Sequence, residues 1–344
     1  MPTDTVLVTG VTGFVGSHVA LELLKEGYKI RATARSQRKA DEWTAKYPQG
    51  KENIEWGIVP DLSVPGAFDG LMEGIDYVVH IATPVSVGFK DNEKDMLRPA
   101  MEGLMSVMKA AANQPSVKHV TITGSWGSIG GHKAGQPGEE GRVYTPDDWN
   151  ETTWEEAVNG PTGSSFVYCA SKSLSEKAAW KFMEEEKPNF TLTSLCAPII
   201  YGPPAQVIAS MDTLPASCYE MWAIFSGKQQ DLSRTLYPWF VDVRDFALLH
   251  VESLKNPKAR NQRYLACGGY ESYSQIAYIA AGAYPEQAHR IAKSDNSGPP
   301  PHADLDSSKA ERDFGITWTS LEKCITDMAG VMYAREKELR GKDA

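Results

Sequence analysis

A glycine-rich segment near the N-terminus constrains the fold of this chain more than any other feature. An apolar, β-branched run from Val6 to Thr9 leads into the sequence TGVTGFVG, and a helical pattern of apolar residues follows. A strand, a glycine turn and a helix in this order form the fingerprint of a dinucleotide-binding unit. The glycines permit a tight turn, close approach to a diphosphate and close helix–strand packing. The loop residues expected to contact the cofactor are Gly10, Gly13, Phe14, Val15 and Gly16.

The end of the second predicted strand, Ile30–Ala34, indicates which dinucleotide binds. NAD sites normally carry an acidic residue there, which accepts hydrogen bonds from the ribose 2′-hydroxyl. This chain has Arg35, and Lys39 follows one helical turn later on the same face. Each charge-assisted contact with a 2′-phosphate contributes about 1.5–3 kcal/mol. We therefore predict NADPH or NADP+ as the cofactor; the alternative is an ordinary solvated basic cluster at a helix start.

Length, charge and cysteine usage exclude several classes of protein. The 344 residues suffice for a Rossmann domain and a smaller substrate lobe. The net charge of −9, with no long basic run, disfavours a nucleic-acid partner, and no apolar run is long enough to span a membrane. A core strand close to the initiator Met argues against a signal peptide. Five cysteines without CxxC spacing favour reduced thiols in the cytoplasm over disulfides or a metal site.

Strand-like and helical patterns alternate through the first two hundred residues, which predicts an α/β fold with a doubly wound parallel sheet and helices on both faces. The predicted strands are Val6–Thr9, Ile30–Ala34, Ile54–Val59, Tyr77–Ala82, His119–Thr123 and Leu192–Cys196. We expect a Rossmann domain over 1–200, to which 237–265 returns with a strand and a helix. Residues 201–236 and 266–344 would then form a C-terminal substrate-binding lobe. The segment between 130 and 165 lacks clear periodicity, apart from a short helix near Trp154–Val158.

Three polar residues form the predicted catalytic group. Tyr168 and Lys172 are four residues apart at the start of an amphipathic helix, so the phenol and the ammonium group share one face. A nearby cation stabilises phenolate and lowers the pKa of the phenol, which suits Tyr168 to general acid–base work. Ser125 ends the fifth strand at the carboxyl edge of the sheet, where open α/β folds bind ligands. Its hydroxyl is placed to hydrogen-bond a substrate carbonyl oxygen. The alternative interpretations are that Ser125 only caps a turn and that Tyr168 only packs at the start of its helix.

An ordered set of motifs resembles the extended short-chain dehydrogenases/reductases. The matching motifs are TGVTGFVGSH, Arg35, Asp61-Leu62, HIATP at 80–84, the Ser125 strand end, YCASK at 168–172 and APIIYGP at 197–203. Within that family, the chain is similar to the branch of dihydroflavonol and cinnamoyl-CoA reductases and of fungal NADPH-dependent aldehyde and ketone reductases. The likeness covers most of the chain and is more specific for the family than for the substrate.

The resemblance implies roles for further residues. It implies that Ser125, Tyr168 and Lys172 act as a triad and that Tyr168 and Lys172 also contact the cofactor, Lys172 at the nicotinamide ribose. The other implied cofactor contacts are Asp61 and Leu62 beside the adenine, Ile81, Ala82 and Thr83 beneath the cofactor, and Pro198 and Ile200 on the nicotinamide side. Three positions depart from the family pattern. Gly124 replaces a second serine, and Trp126 follows Ser125, so its large ring would overhang the substrate. The segment LRPAMEGLMSV has no Asn at the place where many family members carry an active-site Asn.

The most consistent prediction is an NADPH-dependent reductase that transfers hydride to an aldehyde or ketone. Candidate residues of the substrate pocket are Phe89, Trp126, Tyr201, Tyr219 and Trp222. A nucleotide-sugar epimerase or dehydratase is one alternative, although Trp126-Gly127 lacks the acidic pair of a dehydratase. A non-catalytic NADP sensor is another. We expect a monomer or a homodimer that binds a small carbonyl compound and no metal.

Overall fold

Strands and helices alternate along most of the chain in a computed structural model that describes residues 4–83, 89–131, 140–232 and 234–341. The strands are β1 (Thr5–Thr9), β2 (Lys29–Ala34), β3 (Ile54–Ile58), β4 (Tyr77–His80), β5 (His119–Ser125), β6 (Val143–Tyr144), β7 (Thr191–Ala197), β8 (Ile199–Tyr201), β9 (Trp239–Asp242), β10 (Gln262–Leu265), β11 (Gly269–Tyr270) and β12 (Asp304–Leu305). The helices are α1 (Phe14–Lys25), α2 (Gln37–Lys46), α3 (Arg98–Ala112), α4 (Trp154–Val158), α5 (Ser165–Glu186), α6 (Ala216–Ser226), α7 (Val243–Lys255), α8 (Tyr273–Ala283), α9 (Ser308–Phe314) and α10 (Leu321–Arg340).

The main sheet of the described chain is parallel and has seven strands in the order β10-β7-β5-β4-β1-β2-β3. The chain moves from β1 through β2 to β3 in one direction and then crosses to β4, β5, β7 and β10 in the other. Ligands of such sheets bind in the crevice where the strand order reverses, at the carboxyl ends of the strands. The fold therefore creates a binding crevice between β1 and β4, directly after the glycine loop.

Apolar packing on both faces of the sheet confirms the predicted doubly wound fold. On one face, Leu7 and Val78 pack against Val107 of α3 and Ala179 of α5. On the other face, α1 and α7 cover the sheet through apolar residues. This second cluster includes Val19, Leu23, Ala247, Val251 and Leu254. Parallel strands buried in this way read as continuous apolar runs, which is why the sequence pattern identified them.

One predicted strand is shorter than expected. Tyr77–Ala82 was predicted to be extended throughout, whereas β4 ends at His80. The backbone N–H groups of Ile81 and Ala82 both donate to the Thr9 hydroxyl, at 3.0 Å, instead of to a neighbouring strand. The Thr9 side chain thus replaces the hydrogen bonds between strands at this position, and the chain turns towards the crevice.

The C-terminal part packs on its own apolar cluster. Helices α6, α8 and α10 contribute buried residues such as Trp222, Ile276 and Met328 to one core. Strands β8, β9 and β11 form a small separate sheet, and β12 pairs with β6. The predicted strand and helix at 239–254 correspond to β9 and α7, and β10 then rejoins the main sheet. No helix in the described ranges has the length and apolar character of a membrane span.

Candidate active site

The glycine loop has the geometry of a tight turn at a helix start. Gly10 has a φ of +74°, in the left-handed region that favours glycine, and its carbonyl accepts a hydrogen bond from Gly13 N at 2.9 Å. A Cβ at Gly16 would lie 2.1 Å from the Gly10 oxygen, so only glycine lets α1 begin this close to the loop. The exposed N-terminus of α1 carries a favourable dipole for an anion.

A hydroxyl–imidazole pair supports the floor of the crevice. The Thr9 Oγ1 atom accepts from Ile81 and Ala82 and lies 3.0 Å from His80 Nδ1. Since Thr9 already accepts two N–H groups, its own proton is directed to His80 Nδ1. Burial lowers the pKa of His80 to about 3, so the ring is neutral. Sequence reasoning missed both residues because they read as ordinary strand ends.

A cavity of about 480 Å³ follows the glycine loop along the carboxyl edge of the sheet. Its lining includes the predicted residues Gly10, Gly13, Phe14, Val15, Gly16, Arg35, Lys39, Leu62, Ile81, Ala82 and Thr83. Residues distant in sequence also line it, namely Gln206, Val207, Ile208, Thr213, Leu214 and Pro215. We call this cavity the cofactor cleft. An elongated dinucleotide fits a cleft that joins a helix N-terminus to a pair of cations.

The basic end of the cofactor cleft carries both predicted cations. Arg35 and Lys39 are exposed and line the cleft. Asp61 is exposed beside them, and its Oδ1 accepts from Ser63 N at 2.9 Å and from Ser63 Oγ at 2.6 Å. These Ser63 hydrogen bonds, helped by the Arg35 charge, lower the pKa of Asp61. This end of the cofactor cleft is therefore charged and exposed to solvent, which suits a phosphate group.

Ser125 ends β5 and also caps the short turn that follows it. Its Oγ accepts a hydrogen bond from Gly127 N at 3.1 Å. A hydroxyl has one proton to donate besides its acceptor sites. Capping the turn therefore leaves the Ser125 proton available, and the hydroxyl lies within hydrogen-bonding reach of the Tyr168 phenol. The capping and catalytic interpretations are therefore compatible.

Helix α5 carries Tyr168 and Lys172 on one face next to β5. Lys172 Nζ donates to Thr123 O at 3.1 Å and to Thr83 Oγ1 at 3.4 Å. Burial lowers the pKa of Lys172, while Glu176 acts in the opposite direction. Burial raises the pKa of Tyr168 and the Ser125 hydroxyl opposes that rise. This net direction differs from the expected lowering by a neighbouring cation, because desolvation of the phenol dominates.

The Lys172–Thr83 contact joins the predicted triad to the cofactor cleft. Thr83 lines the cleft and also lines a small cavity of about 20 Å³ beneath Lys172. That volume holds about one water molecule. The structure therefore brings the lysine of the YxxxK motif to the inner wall of the cleft.

Several predicted pocket residues lie in apolar cores instead of at the cleft. The Trp126 ring packs against Tyr144 and Trp239, with ring centroids 4.8 and 5.0 Å apart, so it turns away from the expected overhanging position. Tyr201 is buried, donates to Glu271 at 3.3 Å and stacks on Phe240. These rings are buried because they complete the packing of the C-terminal part, which ring type alone does not reveal.

The remaining candidates are scattered around the site. Trp222 is buried in the core shared by α6, α8 and α10, and Tyr219 on the same helix is 42% exposed. Phe89 is buried with residues of α4 and α5. Pro198 links β7 to β8, and Ile200 pairs with Val241 in the small sheet. Pro84 of the HIATP motif and residues 132–139 of the 130–165 segment lie outside the described residues.

Comparison with known proteins gives consistent matches along the chain. The model of the NAD dependent epimerase/dehydratase family matches residues 6–267. A putative uncharacterized oxidoreductase of Schizosaccharomyces pombe is 36% identical over 97% of this chain and 98% of its own length. The ketoreductase azaE of Aspergillus niger is 32% identical, with 94% and 95% covered. The crystal structure of yeast methylglyoxal/isovaleraldehyde reductase Gre2 complexed with NADPH superposes with a TM-score of 0.86 at 26% identity, covering 97% of this chain and 99% of that one.

Proposed function

The chain belongs to the NAD dependent epimerase/dehydratase family, and we propose that it is an NADPH-dependent carbonyl reductase. Its substrate is an aldehyde or a ketone, which it converts to an alcohol. The names of its relatives support this class, since they include a ketoreductase and a methylglyoxal/isovaleraldehyde reductase with bound NADPH. Residues 201–236 and 266–344 form the substrate lobe in this proposal.

The observation that carries the proposal is the contact between Lys172 and Thr83. It links the helix of the YxxxK motif to the same cleft that the glycine loop and Arg35 line. A protein that only sensed NADP would need the glycine loop and the cations but not a buried ammonium group one helical turn from a phenol. The buried Lys172 costs desolvation energy, and catalysis gives a reason to retain it.

The residues of the cleft fit NADPH. The backbone at Gly10 and Gly13 approaches a diphosphate, and the N-terminus of α1 stabilises its charge. Arg35 and Lys39 pair with the 2′-phosphate, while Leu62 supplies an apolar contact for the adenine. NADH lacks that phosphate, so it loses the ionic contacts at this end.

Each member of the triad has a separate task. When bound, NADPH supplies the hydride that is added to the carbonyl carbon. Ser125 donates its hydroxyl proton to the carbonyl oxygen and holds that oxygen near Tyr168. Tyr168 gives its phenolic proton to that oxygen as negative charge develops there. The Lys172 ammonium stabilises the phenolate that remains and donates to the nicotinamide ribose.

The triad is tested with Tyr168→Phe and Ser125→Ala, with Tyr278→Phe as the control because Tyr278 is 56% exposed on α8. Loss of a positioned general acid costs about 10²–10⁴-fold in turnover. We expect turnover with a panel of aldehydes, ketones and α-dicarbonyl compounds to fall by about that factor in Tyr168→Phe and to stay unchanged in the control.

NADPH binding, measured by fluorescence, should fall far less than turnover in both triad variants, because neither change touches the glycine loop, Arg35 or Lys39. Turnover of Tyr168→Phe near the wild-type value would contradict the assigned role of the phenol. Wild-type protein that binds NADPH but reduces no compound of the panel would support the sensor alternative.

A further inference from the structure

A carboxylate lies one helical turn beyond the lysine of the YxxxK motif. Lys172 and Glu176 are four residues apart in α5, so their side chains share one face, and both residues are buried. Both also line the small cavity of about 20 Å³ beneath Lys172. The triad uses the ammonium group, and the carboxylate has no task in it.

The remaining polar wall of this small cavity is uncharged. Apart from Lys172 and Glu176, its polar members are His80, Thr83, Thr123 and Ser175. Burial and the Lys172 charge lower the pKa of His80 to about 3, so the ring is neutral. The Cys196 thiol of β7 also faces Lys172, but burial and the Glu176 charge raise the thiol pKa to about 12, which keeps it neutral. Glu176 therefore supplies the negative charge that faces Lys172 in the described part of the chain.

Glu176 keeps this charge because Arg263 of β10 binds it from the opposite side. Arg263 Nε donates to Glu176 Oε1 at 2.8 Å, and Nη2 donates to Oε2 at 3.3 Å. Burial opposes ionisation of Glu176, yet the Arg263 charge and hydrogen bonds hold the pKa of its carboxyl below the ordinary value. The guanidinium does not line the small cavity. The carboxylate thus stands between two buried cations and faces Lys172 directly.

An ammonium group in this position needs such a partner. Burial lowers the pKa of Lys172, and Glu176 acts against that fall. We propose that Glu176 is a positioning residue of the reductase, whose carboxylate acts across the small cavity to keep Lys172 in the charged form that the Tyr168 phenolate requires. This inference rests on the proposed function and adds to the triad a residue that touches neither substrate nor cofactor.

The charge on Lys172 is measured first, without any reaction. Protein labelled with carbon-13 at the lysine ε-carbons is titrated by NMR, and the Lys172 signal is the one that is absent from Lys172→Met. Every sample also carries Tyr168→Phe, so that no phenol titrates beside the ammonium group and the midpoint belongs to Lys172 alone. Glu176→Gln keeps the size of the side chain and an oxygen that accepts from Arg263. We expect it to lower the Lys172 midpoint by about one pH unit.

The pH dependence of catalysis then tests the role in the reaction. Reduction needs a proton on the Tyr168 phenol and one on the Lys172 amine, so the loss of either gives an alkaline fall of kcat/KM at saturating NADPH. A carboxylate beside the pair favours its doubly protonated form. With Tyr168 present, Glu176→Gln should therefore move this fall to lower pH by about one unit. Glu185→Gln, at an exposed position of the same helix, is the matched control and should leave both measurements unchanged.

Variants of Arg263 separate the effect of charge from that of packing. Glu176→Gln and Arg263→Met both break the buried pair, but only the first removes the negative charge that faces Lys172. Arg263→Met should leave the Lys172 midpoint at or above the wild-type value, because the carboxylate stays ionised in alkaline solution. A purely structural role would move both variants in the same direction. If Arg263→Met does not fold, the double variant Arg263→Met with Glu176→Leu replaces it and should lower the midpoint as Glu176→Gln does.

The outcomes distinguish this inference from the proposed function. A Lys172 midpoint that Glu176→Gln leaves unchanged would overturn the inference, and so would a loss of kcat/KM that is uniform at every pH. Wild-type protein that binds NADPH but reduces no compound of the panel would instead overturn the proposed function. The lysine titration would then still decide whether Glu176 holds the charge on Lys172.

Discussion

A buried ion pair behind the active site leads to a quantitative stability prediction. Arg263 in β10 and Glu176 in α5 have side chains only 8% and 3% exposed. All five N–H groups of the guanidinium are used, and the acceptors are both Glu176 oxygens and the backbone oxygens of Ser128, Pro146 and Asp148. The guanidinium carbon also lies 3.6 Å from the centre of the Trp149 ring.

Replacing Arg263 with methionine keeps the apolar volume and removes the charge. Burial raises the pKa of Glu176, but the Arg263 charge and hydrogen bonds overcome this and hold the pKa below its ordinary value. Without Arg263, a buried carboxylate and three carbonyl groups lose their main partner. Removing one member of a buried pair costs about 3–5 kcal/mol, so we expect the free energy of unfolding to fall by about that amount.

Urea denaturation at pH 7.5, followed by tryptophan fluorescence and circular dichroism, measures this change. Lys181→Met is the control, because its pair with Glu185 on the same helix has side chains 70% and 59% exposed. It should change stability by less than about 0.5 kcal/mol. The double variant Arg263→Met with Glu176→Leu should recover much of the loss, since no unpaired charge remains. A single-variant loss below about 1 kcal/mol, or no recovery in the double variant, would refute the reasoning.

Two further predictions concern the cofactor and pH. Arg35→Glu should weaken NADPH binding at least about ten-fold and leave NADH binding similar or better, because the carboxylate repels the 2′-phosphate and accepts a hydrogen bond from a 2′-hydroxyl. Lys39→Met should also weaken NADPH binding, but by less. Fluorescence titration with both cofactors measures the affinities of each variant. Burial lowers the pKa of His119 and His250 to about 4 and that of His80 to about 3, so the unfolded chain binds more protons than the folded protein between about pH 6.5 and 4. This contribution is complete above pH 6.5 and is lost as the pH falls, by about 1.4 kcal/mol per pH unit for each histidine. Urea unfolding between pH 7 and 5 checks it, and a slope that His250→Gln leaves unchanged would contradict it.

Local patterns in the sequence were sufficient for the fold and for the glycine loop. The strand predictions agree with β1, β2, β3, β5 and β7 to within two residues at each end. Strands buried on both faces must be continuously apolar. The turn before α1 requires glycine because Gly10 has a φ of +74°. Both features depend only on residues that are neighbours in the chain. The four-residue spacing of Tyr168 and Lys172 is also local, because it follows from one turn of helix.

Tertiary packing decided which rings are buried and where. Trp126 and Trp222 were candidates for the substrate pocket, and both complete apolar cores. An aromatic side chain gains similar free energy from either environment, so its type does not distinguish a core from a pocket.

Pairs that are distant in sequence were equally inaccessible to pattern reasoning. Arg263 and Glu176 are 87 positions apart. Lys46 of α2 and Arg335 of α10 donate to the backbone oxygens of Gln206 and Ile208, which lie far from both helices in sequence. The sequence by itself therefore determined the dinucleotide-binding architecture, because that depends on periodicity and turn chemistry. Only the tertiary structure decided the far wall of the cleft and the support behind the catalytic helix, because these form where separate segments are brought together by burial of the core.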